Sequence, residues 1–120
     1  MALIVVADDE FLLTEMLAAY LEDAGYEVLT ASNGRVAFKL VKERRPDLLI
    51  TDFMMPSMTG LDLANAIRAD NNIADLPILL VTGAQGTVAR RHADLFQHIL
   101  DKPYNIHQLL AIITELVPSS

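Results

Sequence analysis

Short runs of β-branched and aliphatic residues alternate along the whole chain with longer stretches of helical periodicity, and that alternation leaves few folds open. Leu3–Ala7 (LIVVA), Glu27–Ala31 (EVLTA), Asp47–Thr51 (DLLIT), Pro77–Val81 (PILLV) and Gln97–Leu100 (QHIL) read as strands. Three of them are apolar nearly throughout, the mark of central parallel strands covered on both faces. The segments between read as helices. The first runs from Glu10 to Ala24, with Leu13, Leu17, Leu21 and Ala24 on one face and Gly25 as its C-terminal cap. The second starts at Asn33-Gly34, turns Val36, Ala37, Leu40 and Val41 inward, and stops before Pro46. Gly60 to Ala69 carries Leu61, Ala64 and Ile67 on one stripe, whereas Thr87 to Asp94 has only a weak one. Asn105 caps the last helix, with Ile106, Leu109, Leu110, Ile113 and Val117 at helical spacing. Strict alternation predicts an α/β fold, a (βα)5 chain with a doubly wound parallel sheet and right-handed crossovers. No linker interrupts it, so one domain is expected over residues 1–120, with Pro118-Ser119-Ser120 as a tail.

Composition removes several function classes. The absence of cysteine excludes disulfides, thiolate metal sites and cysteine nucleophiles. Nine basic against sixteen acidic side chains leave a net charge of −7, which repels phosphate backbones, so direct nucleic-acid binding is not expected. The apolar runs fall far short of the roughly 20 residues that span a bilayer. Met1–Ala7 runs straight into Asp8-Asp9-Glu10, unlike a signal peptide. The expectation is a cytoplasmic, acidic domain without membrane association.

In open α/β sheets, ligands bind beyond the carboxyl ends of the strands. After the first strand come Asp8, Asp9 and Glu10; after the third, Asp52; after the fourth, Thr82; after the fifth, Asp101, Lys102 and Pro103. One acidic residue at a strand end is most simply a solvated turn residue. Carboxylates, a hydroxyl and an ammonium on a single sheet edge need another explanation. At ~5 Å and an effective dielectric of ~20, each carboxylate pair repels by roughly 3 kcal/mol. A hard divalent cation relieves this, and oxygen-only donors favour magnesium over zinc or copper. A carboxylate beside that ion is a plausible nucleophile toward phosphorus, with Lys102 and Thr82 placed to hold the transferred oxygens.

These residues resemble the receiver domain of two-component response regulators, the CheY-like family, over about Leu3 to Val117. ITDFMMPSMTG, Ile50 to Gly60, matches the family's apolar-x-Asp-x-x-Met-Pro-x-x-x-Gly pattern; VVADDE, LLVTG and LDKPY match the acidic pair, the threonine and the Lys-Pro. The resemblance implies a flavodoxin-like strand order of 2-1-3-4-5. It implies Asp52 as phosphoacceptor from a sensor histidine kinase or phosphotransfer protein. Mg2+ would be held by Asp8, Asp9, Asp52 and the backbone carbonyl of Met54. Lys102 matches the lysine that pairs with the phosphoryl group, Thr82 the switching hydroxyl, and Pro103 the proline after a cis peptide bond. The output surface would be the face of the fourth helix, fifth strand and fifth helix, acting on another protein or a lost effector domain. A monomer or a phosphorylation-dependent dimer is implied. The domain would signal, assisting only its own phosphoryl transfer and autodephosphorylation.

The chain also departs from the family. The switching aromatic position is occupied by Ile99, and Ala93-Asp94-Leu95-Phe96 replaces the usual Gly-Ala pair before the fifth strand. Tyr104, after Pro103, reads as a packing residue. A phosphorylation-independent interaction domain of the same fold is therefore an alternative, and a small-molecule phosphohydrolase a second. His92, His98 and His107 lack metal-ligand spacing. Met54, Met55 and Met58 lack other soft ligands, and Arg44-Arg45 and Arg90-Arg91 read as solvated helix ends. Thr82 to Thr87 has the look of a phosphate loop, but no Gly-Lys-Ser/Thr follows.

Overall fold

The computed structural model describes residues 1–83 and 86–117, so the tail and the middle of the Thr82–Thr87 stretch lie outside the described residues. The strands are β1 (Leu3–Ala7), β2 (Glu27–Ala31), β3 (Leu48–Asp52), β4 (Ile78–Thr82) and β5 (His98–Asp101). The helices are α1 (Phe11–Asp23), α2 (Gly34–Arg44), α3 (Gly60–Arg68), α4 (Gly86–Arg90) and α5 (Ile106–Leu116). All strands pair in parallel, in the order β2-β1-β3-β4-β5. The central strands β1, β3 and β4 are buried almost end to end. Alternate side chains serve two cores, as the pleat requires. Val5, Leu49, Ile78 and Leu80 pack against α2 and α3; Ile4, Val6, Ile50 and Val81 pack against α1 and α5.

β3, β4 and β5 each begin and end one residue later than their apolar runs. A polar last residue breaks the hydrophobic pattern without breaking the ladder: Asp52 still pairs with Val81, and Thr82 with Asp101. Asp52 and Thr82 are thereby strand residues, held by the sheet rather than by a loop.

Helix ends follow local chemistry. α1 closes in a Schellman motif: Gly25 takes φ +100°, its N–H donates to Glu22, and the Tyr26 N–H donates to Leu21. Asn33 caps α2, Asn105 caps α5, and Thr59 with Asp62 forms a capping box on α3. Three expectations fail. On α1, Leu13 and Ala24 are exposed, while Thr14, Leu17, Ala18 and Leu21 face the core. Phe11, Leu12, Met16 and Tyr20 are exposed too, so α1 is apolar on every side and periodicity alone cannot find its inner face. On α2, Val36 is exposed and Gly34 takes the buried position one turn earlier. The helix expected over Thr87 to Asp94 is a short one over Gly86–Arg90 followed by a 3-10 turn at Ala93–Leu95, because Ala89 is its only buried apolar side chain.

One glycine fixes the site's backbone. The Gly60 N–H donates to the Phe53 carbonyl at 2.7 Å, and a Cβ there would collide with the Asp52 carbonyl and lie 3.1 Å from the Phe53 Cα. Gly60→Ala should lower stability by about 1–3 kcal/mol in urea denaturation, since the backbone must shift to admit the methyl. Gly83→Ala, with nothing within 4 Å of the new methyl, should change it by less than about 0.5 kcal/mol.

Candidate functional site

The register of β1 on β3 brings the acidic residues together. Ala7 pairs with Thr51, so the next residues, Asp8 and Asp52, stand level on neighbouring strands. Carboxylate oxygens of Asp8, Asp9 and Asp52 all lie within 4.8 Å of one another. Lys102 follows β5 and reaches back across β4, placing Nζ 3.2 Å from Asp52 Oδ1 and 3.8 Å from Asp8 Oδ2. Its backbone N–H donates to the Thr82 carbonyl at 2.8 Å, and its bond to Pro103 is cis. Asp8 accepts from the Glu10 N–H at 2.9 Å, and Asp52 from the Phe53 N–H at 3.0 Å. The Thr14 hydroxyl donates to the Glu10 carbonyl at 2.9 Å, fixing the start of α1 beside the cluster.

Burial is the main influence on both inner carboxyls. It pushes Asp8 upward against the pull of the Glu10 amide, and neighbouring Asp52 adds to the rise. Burial likewise pushes Asp52 up, and the charge and hydrogen bond of Lys102 only partly oppose it. For Lys102, burial acts downward, but Asp52, Asp8 and Glu10 together outweigh it and hold the ammonium above its ordinary value. Tyr104 packs beside the α1–α5 core, and burial raises its phenol. Three carboxylates facing one ammonium leave the cluster anionic, and an oxygen-only donor set fits a hard divalent ion.

The other residues singled out from sequence differ in their surroundings. The Met54 side chain is exposed two residues past Asp52. Thr82 is fully buried, and its hydroxyl has no hydrogen-bond partner among the described residues. Ile99 is partly buried against the core beneath α2, α3 and α4. A cleft of about 410 Å³ opens beside Asp8, Asp52 and Lys102, walled by Leu13 and Leu17 of α1 and by Tyr104.

Two arginines matter more than the sequence suggested. Arg68, at the end of α3, donates to the carbonyls of Ala74, Leu76 and Leu95 and to Gln97, tying the segments on both sides of β4. Arg90 is the half-exposed helix end that the sequence suggests, and it also grips Asp101 with both terminal nitrogens, at 3.1 and 2.6 Å. Their partners lie on other elements, so no local pattern announces them.

Residues 4–114 match the response regulator receiver domain. This chain belongs to that family. It is a receiver domain of two-component signalling, with the CheY-like fold. The phosphate regulon transcriptional regulatory protein PhoB of Pseudomonas aeruginosa is 35% identical over 111 residues, 90% of this chain and 48% of that protein. The response regulator MprA of Mycolicibacterium vanbaalenii is 37% identical over 117 residues, 95% of this chain and 49% of that protein. The receiver thus spans about half the length of these curated relatives. Among solved structures, the chemotaxis response regulator CheY4 of Vibrio cholerae superposes with a TM-score of 0.89 at 32% identity, covering 98% of this chain and 99% of that one. TrrA of Thermotoga maritima, solved in complex with Mg2+ and BeF, gives 0.86 at 32% identity, covering 98% of this chain and 100% of that one. Among the described residues, no helix is long and apolar enough to cross a membrane.

The raised carboxyls carry a pH signature. A carboxyl whose pKa is higher folded than unfolded binds more protons when folded, so stability falls as pH rises from the ordinary carboxylate range through the folded value. Without divalent ions, Asp52→Asn should therefore melt higher than wild type at neutral pH. The difference should shrink as pH falls into the ordinary carboxylate range. Thermal melts in EDTA across that range test it, and a variant no more stable at neutral pH would refute the account.

Proposed function

We propose that this receiver accepts a phosphoryl group on Asp52 from a sensor histidine kinase or phosphotransfer protein. The result passes to an output protein or effector domain through the face of α4, β5 and α5. The carrying observation is Lys102 Nζ at 3.2 Å from Asp52, within a set of three carboxylates whose oxygens lie within 4.8 Å. An Asp52 oxygen forms a bond to phosphorus as the bond from phosphorus to the donor atom breaks, and the electron pair leaves with the donor. Lys102 balances charge on the phosphoryl oxygens, and the buried Thr82 hydroxyl, which has no partner among the described residues, gains an acceptor. Asp8, Asp9, Asp52 and the Met54 carbonyl would hold Mg2+, which neutralises charge on the transferring group when bound. The Mg2+ and BeF complex of the similar TrrA supports this reading.

Residues 1–120 are read as one receiver module, standing alone or joined to an effector, and working as a monomer or as a dimer formed on phosphorylation. The half-length match to proteins named as transcriptional regulators is compatible with a joined effector. Autodephosphorylation would use the same residues.

Incubation with acetyl phosphate and magnesium should add one phosphoryl group to wild type by intact mass, and none to Asp52→Asn or without the metal. Labelling of Asp52→Asn would overturn the assignment. In melts, magnesium at 100 times its Kd should stabilise wild type by about 2.7 kcal/mol. Equal stability with magnesium and with EDTA would refute a metal site here.

A further inference from the structure

We infer that Arg90 and Asp101 form a positioning pair that holds Thr82 in its buried place and sets how readily its hydroxyl turns to the phosphoryl group. The inference rests on the reading of Asp52 as phosphoacceptor and adds to it two residues outside the acidic cluster.

The contacts run in one continuous stack. Thr82 is the last residue of β4 and pairs in register with Asp101, the last of β5. Its carbonyl accepts the backbone N–H of Lys102, the residue after Asp101. On its outer side lies Gly86, the buried first residue of α4. A Cβ on Gly86 would sit 3.9 Å from the Thr82 methyl, 2.8 Å from an Arg90 terminal nitrogen and 2.9 Å from Asp101 Oδ1. Gly86 is thus pressed between Thr82 and the ion pair, and only the missing side chain leaves room for the pair to close. The bidentate geometry, 3.1 and 2.6 Å, is the form of arginine–carboxylate contact that resists rotation.

This arrangement opposes an existing drive. The Thr82 hydroxyl is buried without a partner among the described residues, so an acceptor at Asp52 would draw it away. To follow, Thr82 must pull away from Gly86, and the first turn of α4 must adjust. The pair ties the last residue of that helix to β5 and works against the movement. α4 has little else to hold it, since its buried residues are Gly86 and Ala89. Ile99, one strand position before Leu100, is stiff at χ1 and supplies no hydroxyl of its own for such a link. The coupling from Thr82 to this face therefore runs through a charge pair on the outside of α4.

Two measurements on the full chain decide it. In the unliganded protein, Asp101→Asn and Arg90→Gln should each speed amide exchange across Gly86–Arg90 roughly threefold, with the β1 and β3 amides unchanged. Unchanged exchange in both variants overturns the proposal. The second uses beryllofluoride with magnesium as the phosphoryl mimic. Asp101→Asn should tighten its apparent binding roughly threefold, and this gain should vanish in a Thr82→Ala background. An equal gain without the hydroxyl means the pair only braces the fold, and also overturns the proposal. Failure of wild type to bind beryllofluoride would instead overturn the phosphoacceptor reading, and the proposal with it.

Discussion

Repulsion among three carboxylates on one sheet edge governs this molecule. At an effective dielectric of about 20, three pairs at the 4.8 Å limit repel by roughly 10 kcal/mol in all, while the two Lys102 contacts at 3.2 and 3.8 Å offset roughly 10. The Coulomb terms nearly cancel, so burial, the largest single influence on each inner carboxyl, decides the direction. That is why Asp8 and Asp52 are pushed up despite an ammonium in contact. The sheet enforces the conflict: β1 and β3 are buried neighbours in parallel register, and they deliver Asp8 and Asp52 to the same level whatever their charge. A cluster so balanced responds strongly to any added charge, positive or phosphoryl.

Most of the fold was legible because parallel strands buried on both faces leave continuous apolar runs, and this chain has three. The site was legible because it sits where those runs end. What failed to read did so for physical reasons. Leu13 was placed inward because α1 is apolar all round, and its outer face carries Phe11, Leu12, Met16 and Tyr20. The strand ends were one residue short because Asp52 and Thr82 are polar yet still hydrogen-bonded into the ladder. The pairing of Arg90 with Asp101 went unread because its partner is on another element, eleven residues away.

Two glycines act by absence of bulk rather than by backbone freedom. Gly60 lies against the carbonyl of Asp52, and Gly86 against Thr82 and the Arg90–Asp101 pair. Neither has positive φ, so an alanine would meet neighbours rather than backbone strain. The two lie beside the ends of the strands that carry the Asp52 carboxylate and the buried Thr82 hydroxyl. Close approach of backbone to these two residues is thus built in at the level of the chain's smallest side chains.

The helices differ in how firmly they are held, and that difference gives a response its direction. α5 buries Leu109, Ile112 and Ile113, and α1 buries Leu17, Ala18 and Leu21. Each large aliphatic side chain so buried contributes about 1.5–3 kcal/mol. α4 buries one methyl, that of Ala89, and the described part of its sequence is only five residues long. Local opening follows the sparsest packing, so on the function proposed above strain generated at Asp52 and Thr82 would be relieved at α4 before α1 or α5 moved. β4 cannot absorb it, since Leu79, Leu80 and Val81 are locked between both cores and paired on each side. The weakly apolar stretch after β4, which made the fourth helix hard to read in the sequence, therefore also leaves α4 lightly packed, and on the function proposed above that is the side on which output would leave.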